Sequence, residues 1–99
     1  MNLRNSNGKV PIRNRGTDTP WLLIDFPSFE VFHTLYEKSH TPASMAKIWE
    51  IVRSRAAGAT LEDAVKPYGL TKERARQIEA KFLRRMTDYY WKTKDRLSD

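Results

Sequence analysis

Ninety-nine residues, 39% hydrophobic and 30% charged, fit one small domain with a modest core of its own. A net charge of +6 and a pI near 9.8 favour a polyanionic partner, although basicity alone does not demand one. The absence of cysteine excludes a disulfide framework and a thiolate metal site. No apolar run reaches membrane-spanning length and the first residues lack the apolar stretch of a secretory signal, so a cytoplasmic protein is expected.

The charge is unevenly spread. Residues 1–20 carry four Lys or Arg against Asp18, residues 21–59 balance four against four, and residues 60–99 carry ten against seven. Residues 1–19 are rich in Asn, Arg and Gly with scattered apolar residues, which predicts a disordered basic tail. Arg4, Lys9, Arg13 and Arg15 could form an arm on phosphates or in a minor groove, but a solvated tail is the preferred reading. A single helical domain is expected over residues 20–99.

Trp21-Leu22-Leu23-Ile24-Asp25-Phe26 is the most apolar run. It is too short to separate strand from helical turn, and with no second strand candidate it is expected to pack irregularly or helically. Ser28 can cap a helix from Phe29 to about Ser39, with Phe29, Phe32, Leu35 and Tyr36 on one face. His33 and His40 have no partner ligands at metal spacing, so surface or capping roles are expected.

Thr41-Pro42 pairs a capping residue with Pro at the first helical position. Met45, Ile48, Trp49 and Val52 follow at helical spacing to about Arg55, and Trp49 reads as core. Ala57-Gly58-Ala59 ends this helix, leaving Arg53 and Arg55 beside the next segment as candidate phosphate contacts.

Thr60 to Arg85 predicts two helices joined by a tight turn. Thr60 caps a short helix from Leu61, Tyr68-Gly69-Leu70 is the break, and Thr71 caps a longer helix. Pro67 removes a donor and disfavours α geometry at Lys66, which shortens the first helix. On the second helix, Ala75, Ile78, Phe82, Met86 and Tyr89 form one stripe. Lys72, Glu73, Arg76 and Gln77 lie on the other side, in the first two turns.

Such a row suits base-edge readout: Arg bonds guanine bidentately, Gln bonds adenine, and Glu accepts from the cytosine amino group. Lys81, Arg84 and Arg85 could reach phosphates further along, and Thr60 is a further candidate phosphate contact. Periodicity alone fits a solvated, ion-paired face equally well.

The letters from Leu61 to Arg84 closely resemble the helix-turn-helix of the fourth conserved region of bacterial sigma factors, the part that binds the promoter −35 element. The match is densest at Thr71–Lys81, TKERARQIEAK, where the family typically reads TRERIRQIEAK, and Thr60-Leu61-Glu62-Asp63 is similar to its TLEE. The resemblance implies base-reading roles for Lys72, Glu73, Arg76 and Gln77. It implies backbone-contacting places for Thr71 and Arg84, and an activator-facing surface at Lys81. Lys72 replaces the family's usual Arg, exchanging a planar fork for a point charge. Val65 and Ala75 reverse the usual order of small and large residues between the two helices, a volume-conserving swap.

Beyond Arg85 the pattern continues through Met86, Tyr89, Tyr90 and Trp91 into a charged end at Lys92–Asp99. Tyr90 and Trp91 are candidate dimer contacts. There is no Gly-rich phosphate loop, no paired His and no Ser-His-Asp arrangement, so neither an enzyme nor a cofactor is expected. The expectation is an all-α domain with a C-terminal helix-turn-helix at 60–85. It would act as a sequence-specific double-stranded DNA-binding repressor, homodimeric, and nucleoid-associated when bound. The competing reading is a sigma-like module that binds RNA polymerase and competes with or recruits a sigma factor.

Overall fold

The computed structural model describes residues 8–13 and 22–98. The elements in order are β1 (Lys9–Ile12), β2 (Leu22–Asp25), α1 (Phe29–Tyr36), α2 (Pro42–Ala56), α3 (Leu61–Val65), a 3₁₀ turn (Lys66–Tyr68) and α4 (Lys72–Ser98). The domain is therefore mainly helical. The all-α expectation fails at its N-terminal end, where a two-stranded antiparallel sheet forms.

The sheet pairs Lys9 with Asp25, Val10 with Ile24, Pro11 with Leu23, and Ile12 with Leu22. Lys9-Val10-Pro11-Ile12 alternates, so Val10 and Ile12 point together into the core, 2% and 0% exposed. Phe26 N donates to Gly8 O at 3.3 Å, which marks that pair as hydrogen-bonded. Alternation then makes Pro11–Leu23 a non-bonded pair, where the missing proline N–H costs nothing. Lys9–Ile12, expected within a disordered tail, is thus a core strand, and Leu22–Asp25, expected to be irregular or helical, is its partner. Arg4, Arg15 and Trp21 lie outside the described residues.

Gly8 permits the close start of β1. Its φ is +65°, and a Cβ there would lie 2.3 Å from the Ala56 carbonyl oxygen at the end of α2.

Ser28 Oγ accepts from Val31 N and caps α1. This helix stops at Tyr36, short of Ser39, because Ser39 N turns back to Tyr36 O at 3.1 Å. Phe32 and Tyr36 are buried, whereas Phe29 is 47% exposed and meets the Trp49 ring edge-on at 5.2 Å. Thr41 Oγ1 accepts from Ser44 N ahead of Pro42, as the cap pattern predicts. From α2, Met45, Ile48, Ile51 and Val52 are buried, and Trp49 sits half-buried among Phe26, Phe29 and Phe32.

Helix α4 contributes Ala75, Ile78, Phe82 and Met86 to the same core. Val65 and Ala75 are 1% and 0% exposed, so the large residue on α3 and the small one on α4 both fit in the packed interior. Arg85 Nη1 donates to Leu35 O at 2.7 Å, and its guanidinium lies 4.5 Å from the centre of the Tyr36 ring. Arg85, expected to reach phosphates, instead joins α4 to α1.

Further along α4, Trp91 Nε1 donates to Arg13 O at 2.8 Å, and Arg13 N donates to Thr87 Oγ1 at 3.4 Å. Tyr90 packs partly buried against the core and edge-on to Trp91. Trp91, one of the two aromatics expected at a dimer seam, thus also ties the exit of β1 to α4 within its own chain.

Candidate nucleic-acid interface

The geometry begins with a short helix. Thr60 Oγ1 accepts from Asp63 N at 3.1 Å, and Glu62 and Asp63 occupy the first turn, where carboxylates suit the helix dipole. Helix α3 is only five residues long, the short helix expected ahead of Pro67. Lys66 is nevertheless right-handed helical at φ −53°, ψ −45°. The chain tightens into the 3₁₀ turn there, with Gly69 N donating to Lys66 O at 3.2 Å.

Gly69 then takes φ +67°, ψ +22°, a left-handed conformation that reverses the chain at little cost only for glycine. Thr71 closes the turn: its Oγ1 accepts from Arg74 N at 3.1 Å and its carbonyl from Ala75 N at 3.0 Å. The two threonine hydroxyls cap as acceptors, and each keeps its own proton to donate outward.

Lys72, Glu73, Arg76 and Gln77 are all exposed, as are Lys81 and Arg84. Together they run along the solvent face of α4 for roughly 18 Å at 1.5 Å per residue. Lys72, Lys81 and Arg84 carry no ion pair among the described residues. Glu73, Arg76 and Gln77 are linked to one another. Arg76 Nε donates to Glu73 Oε1 at 3.0 Å and Nη2 to Oε2 at 2.5 Å, while Gln77 Nε2 lies 3.5 Å from Oε2. The hydrogen bonds from Arg76 hold the Glu73 carboxyl below its ordinary pKa, and Glu73 raises Arg76 in turn.

The expected phosphate contacts divide. Arg53 makes a loose pair with Glu50 at 3.6 Å and remains 41% exposed, so it can turn outward. Arg55, by contrast, is engaged within the fold. Its Nε and Nη2 donate to the two Glu79 carboxylate oxygens at 3.0 and 3.3 Å, and its Nη1 donates to Ala59 O at 2.6 Å. That clamp joins the end of α2, the loop before α3 and the second turn of α4. It fixes how the exposed row is presented.

Glu79, 24 residues downstream, was not linked to Arg55 by sequence reasoning, because nothing local pairs them. Lys66 in the 3₁₀ turn and Arg74 on α4 are further exposed cations near the row that the sequence reading left out. Their signal was adjacency to the turn.

Among the described residues no group of His, Asp or Glu is arranged to hold a metal ion, and no helix is long and apolar enough to cross a membrane. The row offers exposed donors and acceptors at Lys72, Glu73, Arg76 and Gln77, with the exposed cations Lys81 and Arg84 beside them. No family model, curated protein or solved structure matches this chain.

Proposed function

We propose that this protein is a sequence-specific double-stranded DNA-binding transcriptional regulator that reads the major groove with the first turns of α4. The observation that carries the proposal is the exposure of Lys72, Glu73, Arg76 and Gln77 at the opening of a helix whose opposite stripe is core. A helix held by one face and bearing long polar side chains on the other suits insertion into a groove about 12 Å wide. Lys81, Arg84, Arg53, Thr60 and Thr71 would neutralise or bond the flanking phosphates. The chain's +6 charge would add attraction that fades with salt.

Repression by occlusion needs only stable occupancy of a promoter, and it is the direction we assign. One such module reads few base pairs. A two-fold pair of protomers on a palindromic site, with half-sites about 34–36 Å apart or a multiple of that, supplies the missing selectivity. The half-exposed rings of Tyr90 and Trp91 are the candidate contacts for that pair, although Trp91 Nε1 is already engaged by Arg13 O.

The test is selection of bound duplexes from a random pool by the purified protein. Enrichment of one motif, read as a palindrome if the protomers pair, supports the proposal. A pool that stays random at moderate salt overturns it. Stable co-purification with RNA polymerase in the absence of DNA, combined with no enrichment, would favour the polymerase-binding reading instead.

A further inference from the structure

The two residues of the row best able to donate to bases are both held by an acid on their own helix. Arg76 donates to both oxygens of Glu73, and Gln77 approaches one of them. The side chains are well exposed, 61% for Arg76 and 59% for Glu73, so the clasp stands in solvent where a duplex would arrive.

Resting on the DNA-reading role above, we infer that Glu73 is a selectivity gate: it keeps Arg76 and Gln77 off phosphates and releases them only to a base pattern offering both an acceptor and a donor. A phosphate can accept from Arg76, but it leaves the Glu73 carboxylate beside another anion with no compensating donor. A major-groove edge that sets an exocyclic amine beside a ring or carbonyl acceptor satisfies both partners. The ligand class is therefore a duplex with adjacent donor and acceptor edges, and ordinary backbone is penalised. Glu73 is a positioning residue in this scheme, acting through Arg76. The clasp stays charged at neutral pH, because Arg76 holds the Glu73 carboxyl below its usual range.

The experiment compares the full-length protein with Glu73→Gln on the selected duplex and on a random-sequence duplex, each at several salt concentrations. Glu30→Gln serves as a control, since it removes the same charge from an exposed position on α1. Far-ultraviolet circular dichroism confirms equal helicity. In Glu73→Gln the random-duplex affinity should rise about two- to fivefold, the scale of an exposed ion pair. Its salt slope should steepen by about 0.9 as Arg76 takes a phosphate, and the ratio of selected to random affinity should fall. Glu30→Gln should keep the wild-type ratio and slope.

A Glu73→Gln protein that keeps the wild-type ratio, or weakens on both duplexes alike, overturns the gate. A ratio that falls only because the selected site weakens makes Glu73 an ordinary base contact, and also overturns it. Absence of preference in the wild type overturns the DNA-reading proposal and the gate with it. A wild-type preference that is undiminished in Glu73→Gln overturns the gate alone.

Discussion

Replacing Arg55 with Ala separates a structural clamp from a phosphate contact. The substitution removes three donated hydrogen bonds, leaving the Glu79 carboxylate and the Ala59 carbonyl without those donors. An exposed ion pair contributes about 0–1 kcal/mol, while breaking a buried one costs about 3–5 kcal/mol. The two side chains are 28% and 25% exposed, between those limits. A loss of about 2 kcal/mol is therefore expected for Arg55→Ala, on the scale of bonds to charged groups. In a domain of this size that lowers Tm by roughly 8–16 °C. Urea unfolding should show a lower midpoint with an unchanged slope. Glu79→Gln retains an acceptor oxygen and should lose about half as much. If Arg55→Ala stays within about 0.5 kcal/mol of wild type while its DNA affinity and salt slope fall, Arg55 faces phosphate and the clamp is wrong.

Tyr36 Oη is buried with no hydrogen-bond partner among the described residues, while its ring stacks on Phe32 at 4.4 Å. Tyr36→Phe keeps the ring contacts and should be neutral or stabilising by up to about 1 kcal/mol in urea titrations. Burial pushes the Tyr36 hydroxyl up from 10.0 to about 12, against the pull of Arg85. The unfolded chain therefore loses this proton first, so the stability Tyr36 contributes is complete below pH 10 and lost as pH rises from about 10 to 12. Tyr36→Phe should flatten that part of the alkaline stability curve. Gly8→Ala should destabilise by about 2–3 kcal/mol through both clash and positive φ. Gly58→Ala, at φ +109° with nothing within 4 Å, should cost less in the same thermal melts. Lys81→Ala and Arg84→Ala should each weaken selected and random duplexes evenly and lower the salt slope by about one, read by fluorescence anisotropy.

The helices were legible because their signals are local. Thr41-Pro42, Thr60 and Thr71 each cap the helix that follows, and Gly69 adopts the left-handed turn. The 3.6-residue stripe on α4 separated Ala75, Ile78, Phe82 and Met86 from the exposed row. The sheet was missed because β1 is four residues long and offers only two apolar side chains, Val10 and Ile12, within a polar segment. A strand that short is stabilised by its partner and by α4, neither of which periodicity can see. The partners of Arg55 and Arg85 were not legible for a related reason. An exposed-looking cation near a motif suggests phosphate, but Glu79 and the Leu35 carbonyl are brought to it only by the fold. The row itself was placed correctly in solvent, while its internal clasp depends on side-chain rotamers beyond the reach of spacing arguments.

The central claim is that the side chains opening α4 touch bases. The direct measurement is the affinity of Arg76→Ala and Gln77→Ala for the selected duplex and for a set of its single-base-pair variants. The account predicts a loss of about 5- to 150-fold on the selected site for each protein, with preference relaxed at one or two adjacent positions and kept elsewhere. Wild-type affinity with an unchanged preference profile in both variants would contradict it.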